Sequence, residues 1–175
     1  MQANNFAGKT IGLMVASGFD EDQFIAIQRA MLAKTAKLKI ISRDAGLTNS
    51  WNGTGWGMSY PVDSTLSTTL AIDYDALIIP TGARHIDTLM NEVHAKRVLR
   101  AFLREDMPVM MQGEAIRLLN LVEDHAARAI DAKAETAEVA VDKNLVQIPL
   151  AEKLESGLEK LNVVMEASAD ESQAA

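Results

Sequence analysis

The sequence contains no cysteine, and this absence removes several kinds of chemistry at once. A chain without thiols forms no disulfide, offers no thiolate nucleophile and senses no oxidant through a thiol. Any metal site is left to three histidines and the carboxylates. Long apolar runs are lacking as well, and the N-terminus does not have the basic and then apolar order of a signal peptide. We therefore expect no membrane span and predict a cytoplasmic protein.

Basic residues are too few and too scattered for a protein that binds polyanions. The sequence has 17 Lys and Arg against 24 Asp and Glu, which gives a formal net charge of −7. Proteins that bind nucleic acid or anionic membranes concentrate Lys and Arg on one face. We expect neither kind of partner.

The length and composition are those of one ordinary domain. With 175 residues, of which 48% are hydrophobic, the chain is long enough for one sizeable core and too short for two. We predict a disordered N-terminus over residues 1–8, a single domain over residues 9–165 and a disordered acidic tail over residues 166–175.

Short apolar runs alternate with amphipathic segments along this domain. The runs predicted to be buried strands are residues 9–16, 37–42, 73–80 and 108–111. One predicted helix begins after Asp20, and two others cover residues 93–105 and 114–121. A closing helix contains Leu154, Leu158 and Leu161. Residues 43–57, with both tryptophans, are predicted to be a loop that leads into an edge strand at 57–63. The alternation predicts an α/β fold with a mainly parallel central sheet and helices on both faces.

Residues 107–115 read as a strand that turns directly into a helix. In α/β proteins such a corner lies at the carboxyl edge of the sheet, where ligands bind, and free N–H groups at the helix start can hold an anion. The corner carries Met111, Gln112 and Gly113, none of which is a nucleophile. Gln112 and Glu114 are candidates for ligand binding, with the N–H groups of Gly113 and Glu114 as donors. Alternatively, Gln112 bonds a neighbouring backbone group and Glu114 complements the helix dipole.

Asp20 and His85 are the candidates for acid–base chemistry. Asp20 would serve as a general acid or base if burial raised its pKa, but a plain helix cap explains it more simply. His85 follows a strand end and is the best single candidate for reactive chemistry, although an exposed loop histidine is more often inert. Arg84 beside it suits a carboxylate or a phosphate.

No metal or cofactor is expected. A metal site is conceivable only by residue type and has no recognised spacing; its ligands would be His85, Asp87, Glu92 and His94. A flavin or nucleotide site ranks last among the alternatives, because the loop after residue 80 has a single glycine with which to cradle phosphate.

Three segments taken together resemble the ThiJ/PfpI superfamily, which has the class I glutamine-amidotransferase-like fold. They are residues 9–24 (KTIGLMVASGFDEDQF), 73–82 (DYDALIIPTG) and 108–113 (PVMMQG). The likeness extends over roughly residues 9–162. It implies a flavodoxin-like three-layer sandwich and a family of intracellular proteases, amidases, glyoxalases and chaperones.

The chain departs from this superfamily where catalytic members carry their nucleophile. In those members a Cys ends the strand after Pro-Val, an acidic residue after the first strand holds it, and a Pro-Gly-Gly strand end supplies oxyanion contacts. Alignment on the corner glycine puts Met111 at the nucleophile position, whereas ungapped alignment from Pro108 puts Gly113 there. The acidic position falls on Asp20, and residues 80–82 read Pro-Thr-Gly. The corner looks most similar to that of the C-terminal domain of large-subunit catalases, which lacks the nucleophile and has a structural role.

The resemblance and the missing Cys lead to one hypothesis and one alternative. The hypothesis is a non-catalytic pseudoenzyme: a homodimeric structural, stress-related or small-ligand-binding protein. Its ligand would contact the old active-site corner, through Asp20, Gly82, Arg84, His85, Met111, Gln112, Gly113 and Glu114. The alternative is a hydrolase or lyase of amidase, protease or glyoxalase type that uses Asp20 and His85 without covalent catalysis.

Overall fold

A computed structural model describes residues 6–133, 138–150 and 152–174. The strands are β1 (Thr10–Met14), β2 (Phe19–Asp20), β3 (Lys37–Ser42), β4 (Leu47–Trp51), β5 (Trp56–Pro61), β6 (Ser64–Thr65), β7 (Ala76–Ile79), β8 (Val109–Gln112), β9 (Ala140–Asp142) and β10 (Leu145–Ile148). The α-helices are α1 (Glu21–Ala33), α2 (Ala83–Met90), α3 (Val93–Arg104) and α4 (Leu154–Ala174). Segments of 3-10 helix lie at Leu66–Thr68, Ala71–Asp73, Gly113–Leu121 and Glu123–Arg128.

Seven strands form the central sheet in the order β6-β3-β1-β7-β8-β10-β9. All neighbouring strands are parallel except β9 and β10. The chain builds outward from β1 to β3 and β6 on one side, and then from β1 to β7 and β8 on the other. The order therefore reverses between β1 and β7, and the carboxyl ends of these two strands mark the place where open α/β sheets form a ligand crevice.

Helices cover both faces of this sheet, because successive strand residues point to opposite sides. Met14 and Ile79 lie in a core cluster with α2, α3 and the 3-10 helix Gly113–Leu121. Leu13 and Ile78 lie in a second cluster with α1 and α4. The molecule is the three-layer, mainly parallel sandwich that the sequence predicts, and the strands 37–42, 73–80 and 108–111 are confirmed within a few residues.

The predicted loop at residues 43–57 is wrong over part of its length, since it contains β4. This strand pairs with β2 and β5 in a second, three-stranded sheet. Its buried side chains are Thr48 and Ser50, so the apolar alternation that reveals a strand is missing. Hydrogen bonds to Glu21 anchor this second sheet. The Glu21 carboxylate accepts them from the Ser50 hydroxyl and the Met58 N–H. These bonds hold the pKa of Glu21 below its usual value, the Ser50 bond having the larger effect.

The ends of the chain also differ from the prediction. Residues 1–5 of the predicted disordered N-terminus lie outside the described residues, but Phe6 is buried and the ordered chain begins before residue 9. At the other end, α4 continues to Ala174 and so covers residues 166–174 of the segment predicted to be a disordered tail, while residue 175 lies outside the described residues. Alanine and glutamate are strong helix formers, and the buried Leu161 and Met165 hold the preceding turns, so the helix propagates.

None of the described helices is both long and apolar enough to cross a membrane.

Candidate functional site

The corner between β8 and the following 3-10 helix has the backbone shape of a nucleophile elbow, with Gly113 at its apex. β8 ends at Gln112, and Gly113 has a φ of +54°, in the left-handed region. A nucleophile elbow is a sharp strand-to-helix turn that exposes its central residue at the top of the sheet. Met111 lies inside β8, paired with Ile79, and its side chain is buried in the core. Of the two alignments, the geometry favours the one that places Gly113 at the apex, where no side chain is available.

The space in front of the apex is filled by two other side chains. A Cβ atom on Gly113 would lie 2.6 Å from the Leu150 Cδ2 atom and 2.6 Å from the Thr81 hydroxyl oxygen. Atoms at these distances overlap, so a side chain at this position would have to displace both of them. The elbow therefore has no nucleophile, and Leu150 and Thr81 occupy the space in which one would lie.

The polar groups of the elbow form hydrogen bonds with one another. The Thr81 N–H donates to the Gln112 side-chain oxygen at 3.2 Å, and the Gln112 amide donates to the Gln23 side-chain oxygen at 2.7 Å. The Glu114 N–H donates to the Thr81 hydroxyl at 3.2 Å, so a protein oxygen occupies the position predicted for an anion at this donor. Gln112 thus satisfies a neighbouring backbone group, as the simpler of its two interpretations predicts.

Gln23 is the member of this network that the sequence did not reveal. It lies three residues after the cap residue Asp20, and therefore on the same face of the first turn of α1. That spacing was the only signal available. The polar face of a helix is usually exposed, so the sequence does not predict that the Gln23 amide pairs with Gln112 in a distant strand.

Asp20 acts as the N-cap of α1. Its side chain accepts a hydrogen bond from the Gln23 N–H at 2.9 Å, and its own N–H donates to the Thr81 carbonyl at 3.1 Å. The helix-cap interpretation of Asp20 is confirmed. The carboxylate is already engaged by the helix start, on the α1 side of the elbow network.

His85 is the largest departure from the predicted site. It lies in α2 rather than in an exposed loop, and its side chain is 0% exposed. Its Nδ1 atom faces the Ala16 N–H at 3.4 Å, and its Nε2 atom lies 2.6 Å from the Pro80 carbonyl oxygen. Because the Ala16 amide is a donor, Nδ1 must accept, and the ring proton belongs on Nε2, which donates to Pro80. Burial lowers the pKa of His85 to about 4, against a smaller opposing effect of the Pro80 bond.

Gly82 and Arg84 lie beside His85 but do not complete a reactive site. Gly82 has a φ of +142°, and a Cβ atom there would lie 2.8 Å from both the Asp20 nitrogen and the His85 ring. The glycine is therefore needed for close packing of β2 against α2. Arg84 is exposed, and its guanidinium carbon stacks 3.9 Å from the centre of the Trp51 ring. Trp56 meets Trp51 edge-on at 5.4 Å between ring centres.

A cavity of about 300 Å³ opens beside the elbow, between the 3-10 helix Gly113–Leu121 and residues 129–133. Its lining includes Gly113, two cations and two carboxylates: Arg117, Lys133, Glu114 and Asp131. The Arg117 guanidinium lies 3.0 Å from the Asp87 carboxylate and 3.9 Å from that of Glu114. Within the ranges that the structure describes, no group of three or more His, Asp or Glu side chains is placed to hold a metal ion.

The sheet and its corner define a class of protein: a flavodoxin-like α/β sandwich with an elbow of the nucleophile-bearing kind at the carboxyl edge. Within that class, the model of the DJ-1/PfpI family matches residues 9–166, and the chain belongs to this family. No curated protein is significantly similar to it in sequence.

Solved structures share the fold at low sequence identity. A ThiJ/PfpI domain protein from Brachyspira murdochii superposes with a TM-score of 0.70 at 16% identity, over 94% of this chain and 98% of that one. Oxidised DJ-1 from Toxoplasma gondii gives 0.69 at 14% identity, over 95% and 98% of the two chains. DJ-1 from Schizosaccharomyces pombe gives 0.66 at 18% identity, over 90% and 97%. At these identities the likeness shows the fold alone.

Proposed function

We propose that this chain is a non-catalytic DJ-1/PfpI-family protein in which the elbow has become a structural element. The observation that carries the proposal is the apex of the elbow. Gly113 supplies no side chain, and Thr81 and Leu150 occupy the space in which one would act. Covalent catalysis at this corner needs a nucleophile with an adjacent base and free oxyanion donors. The nucleophile is missing, and the Glu114 N–H is not a free donor, because it is already hydrogen-bonded to Thr81.

The likeness of residues 107–115 to the corner in the catalase C-terminal domain supports the same proposal, because that domain is similar to this superfamily, lacks the nucleophile and has a structural role. We therefore propose a structural or stress-related role for the whole protein.

The contacts of Asp20 and His85 give no support to a hydrolase or lyase without a nucleophile. A general base must reach a proton of the substrate within hydrogen-bond distance. Both ring nitrogens of His85 are engaged by Ala16 and Pro80, and the ring is buried. The Asp20 carboxylate caps α1. For either residue to act, the corner would first have to come apart.

The decisive experiment measures turnover of methylglyoxal and of a chromogenic amide by the purified protein. We expect no rate above that of the buffer, and no difference between the wild type and the Asp20→Asn and His85→Gln variants. A pH-dependent wild-type rate that His85→Gln abolishes would establish the alternative and end this proposal. A rate that survives in both variants would place chemistry elsewhere in the molecule.

Beside the filled elbow, a cavity of about 300 Å³ has room for a small ligand. We propose this cavity as the ligand site, with Arg117 and Lys133 as its cations. Thermal shift with a panel of small carboxylates tests it: stabilisation that Arg117→Gln removes supports the site, and no stabilisation by any of them opposes it.

Homodimer formation is part of the proposal. It is motivated by the resemblance and by exposed apolar side chains such as Leu32, which is 80% exposed on α1. Sedimentation velocity checks it. A single monomeric species at all accessible concentrations would rule it out.

A further inference from the structure

An open groove lies at the edge of the sheet opposite the elbow. It has a volume of about 810 Å³, and its walls are formed by Leu70, Ile72, Arg97, Arg100, Arg104 and Met107. We refer to it as the arginine groove. Residues 70–72 precede β7, Met107 precedes β8, and the arginines belong to α3. The groove therefore lies where β7 and β8 begin, whereas the elbow lies where they end.

One side of the arginine groove is apolar and open to solvent. Ile72 is 86% exposed, and Leu70 beside it is 53% exposed. Contiguous exposed apolar surface in a concave site marks a place where something binds. The volume is in the range of small-molecule sites, which run from about 300 to 1,000 Å³. A concave pocket of this size suits a small molecule better than the flat face of a partner protein.

The other side of the arginine groove carries positive charge. Arg97, Arg100 and Arg104 follow one another at spacings of three and four residues, so they share one face of α3. Among the described residues that line the groove, Glu105 is the one acidic residue. Three cations against one anion form a positive site on a protein whose formal net charge is −7.

The three arginines differ in how far they are engaged. Arg97 is fixed, since its guanidinium donates to the Leu66 and Thr69 carbonyl oxygens at 2.8 and 2.9 Å. Arg104 makes a loose, exposed pair with Glu105 at 3.6 Å. In residues 6–133, 138–150 and 152–174, no side-chain hydrogen bond or ion pair engages Arg100. Arg97 therefore holds the wall in place, and Arg100 and Arg104 are available to a ligand.

We propose that the arginine groove binds a small amphiphilic anion, with an alkyl chain against Leu70 and Ile72 and a carboxylate or phosphate head on Arg100 and Arg104. Guanidinium groups bind these oxyanions in a planar, two-bond geometry, so charge and shape agree with the head group. Burial of the alkyl chain would cover apolar surface that the folded protein leaves in water. The site is independent of the elbow and of its lost chemistry.

Titration calorimetry on the full chain at low ionic strength tests the proposal, with decanoate below its micelle concentration as the probe. Decanol has the same chain without the charge, and acetate has the charge without the chain. We expect saturable 1:1 binding of decanoate and at least about tenfold weaker binding of decanol and of acetate. Raised salt should weaken the binding of decanoate.

Variants on both walls locate the site. Arg100→Gln should weaken decanoate binding about tenfold, and Ile72→Ser about fivefold. Arg29→Gln is the matched control, because Arg29 is an exposed arginine that lines a different shallow apolar groove, together with Leu32. Its affinity for decanoate should equal that of the wild type.

Three results would overturn the proposal. One is the absence of saturable decanoate binding, and a second is an equal loss of affinity in Arg29→Gln and Arg100→Gln. The third is dissociation of an oligomer by Ile72→Ser in sedimentation experiments with no binding of decanoate, which would assign the groove to contact between copies of the chain. None of these results depends on whether the elbow catalyses a reaction.

Discussion

The two edges of the same sheet have opposite characters. At the carboxyl edge, the polar groups of the elbow bond one another, and Thr81 and Leu150 fill the space at its apex. At the amino edge, Ile72 remains in water and Arg100 has no partner in the described part of the chain. A buried polar group with all its partners stabilises a fold, whereas an exposed cation beside exposed apolar surface is free to bind. The comparison separates a place that resembles an active site from a place that is physically open to a ligand.

The largest effect should come from adding one methyl group at the apex of the elbow. Gly113→Ala combines a strained left-handed backbone with overlap against Thr81 and Leu150, and should lower the free energy of unfolding by about 2 to 5 kcal/mol. Gly8→Ala is the matched control, because Gly8 also has a positive φ, +73°, but nothing within 4 Å of its Cβ position. It should lose only about 1 to 2 kcal/mol. If urea unfolding gave equal losses of unfolding free energy for Gly113→Ala and Gly8→Ala, the space in front of Gly113 would have to be open.

The pH dependence of stability should reveal the buried ring of His85. The pKa of this ring is lowered from 6.5 to about 4 in the folded protein, so between these values the unfolded chain binds a proton that the folded chain does not. The stability that depends on the neutral His85 ring is fully present above pH 6.5. It is lost as the pH falls toward 4, by about 3 kcal/mol. Unfolding measured across this window should lose that slope in His85→Gln and keep it in His94→Gln, a half-buried histidine on α3. An unchanged slope in His85→Gln would mean that the ring is solvated.

A smaller effect is expected from the amide network. Gln112→Met leaves the Thr81 N–H and the Gln23 oxygen without this partner, which should cost about 1 to 3 kcal/mol of stability. In the double variant Gln23→Met with Gln112→Met, the loss should be less than the sum of the two single losses, because both members of one hydrogen bond are removed together. Strict additivity in a double-mutant cycle would show that the two amides do not interact.

The smallest effect on stability is expected in the arginine groove. Ile72→Ser and Arg100→Gln remove exposed groups that the described fold does not use, so each should change the free energy of unfolding by less than about 0.5 kcal/mol. The same urea unfolding experiment measures both. A loss above about 1 kcal/mol in either variant would make the groove part of the fold and would weaken the contrast between the two edges.

The fold class was readable from the sequence because β1, β7 and β8 are buried on both faces and are therefore almost entirely apolar. β4 was not readable. Its buried residues are Thr48 and Ser50, and its pairing depends on β2 and β5, so nothing local in the sequence marks it. Local pattern therefore predicts strands that the core requires and misses strands that tertiary hydrogen bonds hold.

The candidate site was predictable in part. The strand-to-helix corner, the missing nucleophile and the helix-cap interpretation of Asp20 all follow from residues adjacent in the sequence. The filling of the apex by Leu150 and the amide pair with Gln23 join distant parts of the chain, which no local pattern reports. The burial of His85 was missed for the same reason, since its two partners, Ala16 and Pro80, belong to the ends of different strands.

His85 connects the ends of the two central strands at the point where the strand order reverses. Ala16 follows β1 and Pro80 follows β7, and the neutral ring accepts from one and donates to the other. A proton on Nδ1 would set two donors face to face and break the link to Ala16. The carboxyl ends of β1 and β7 would then separate before the rest of the core unfolds, as a local opening. In acid, the earliest loss of amide protection should therefore be found at Ala16, at the centre of the sheet and not at a fraying edge.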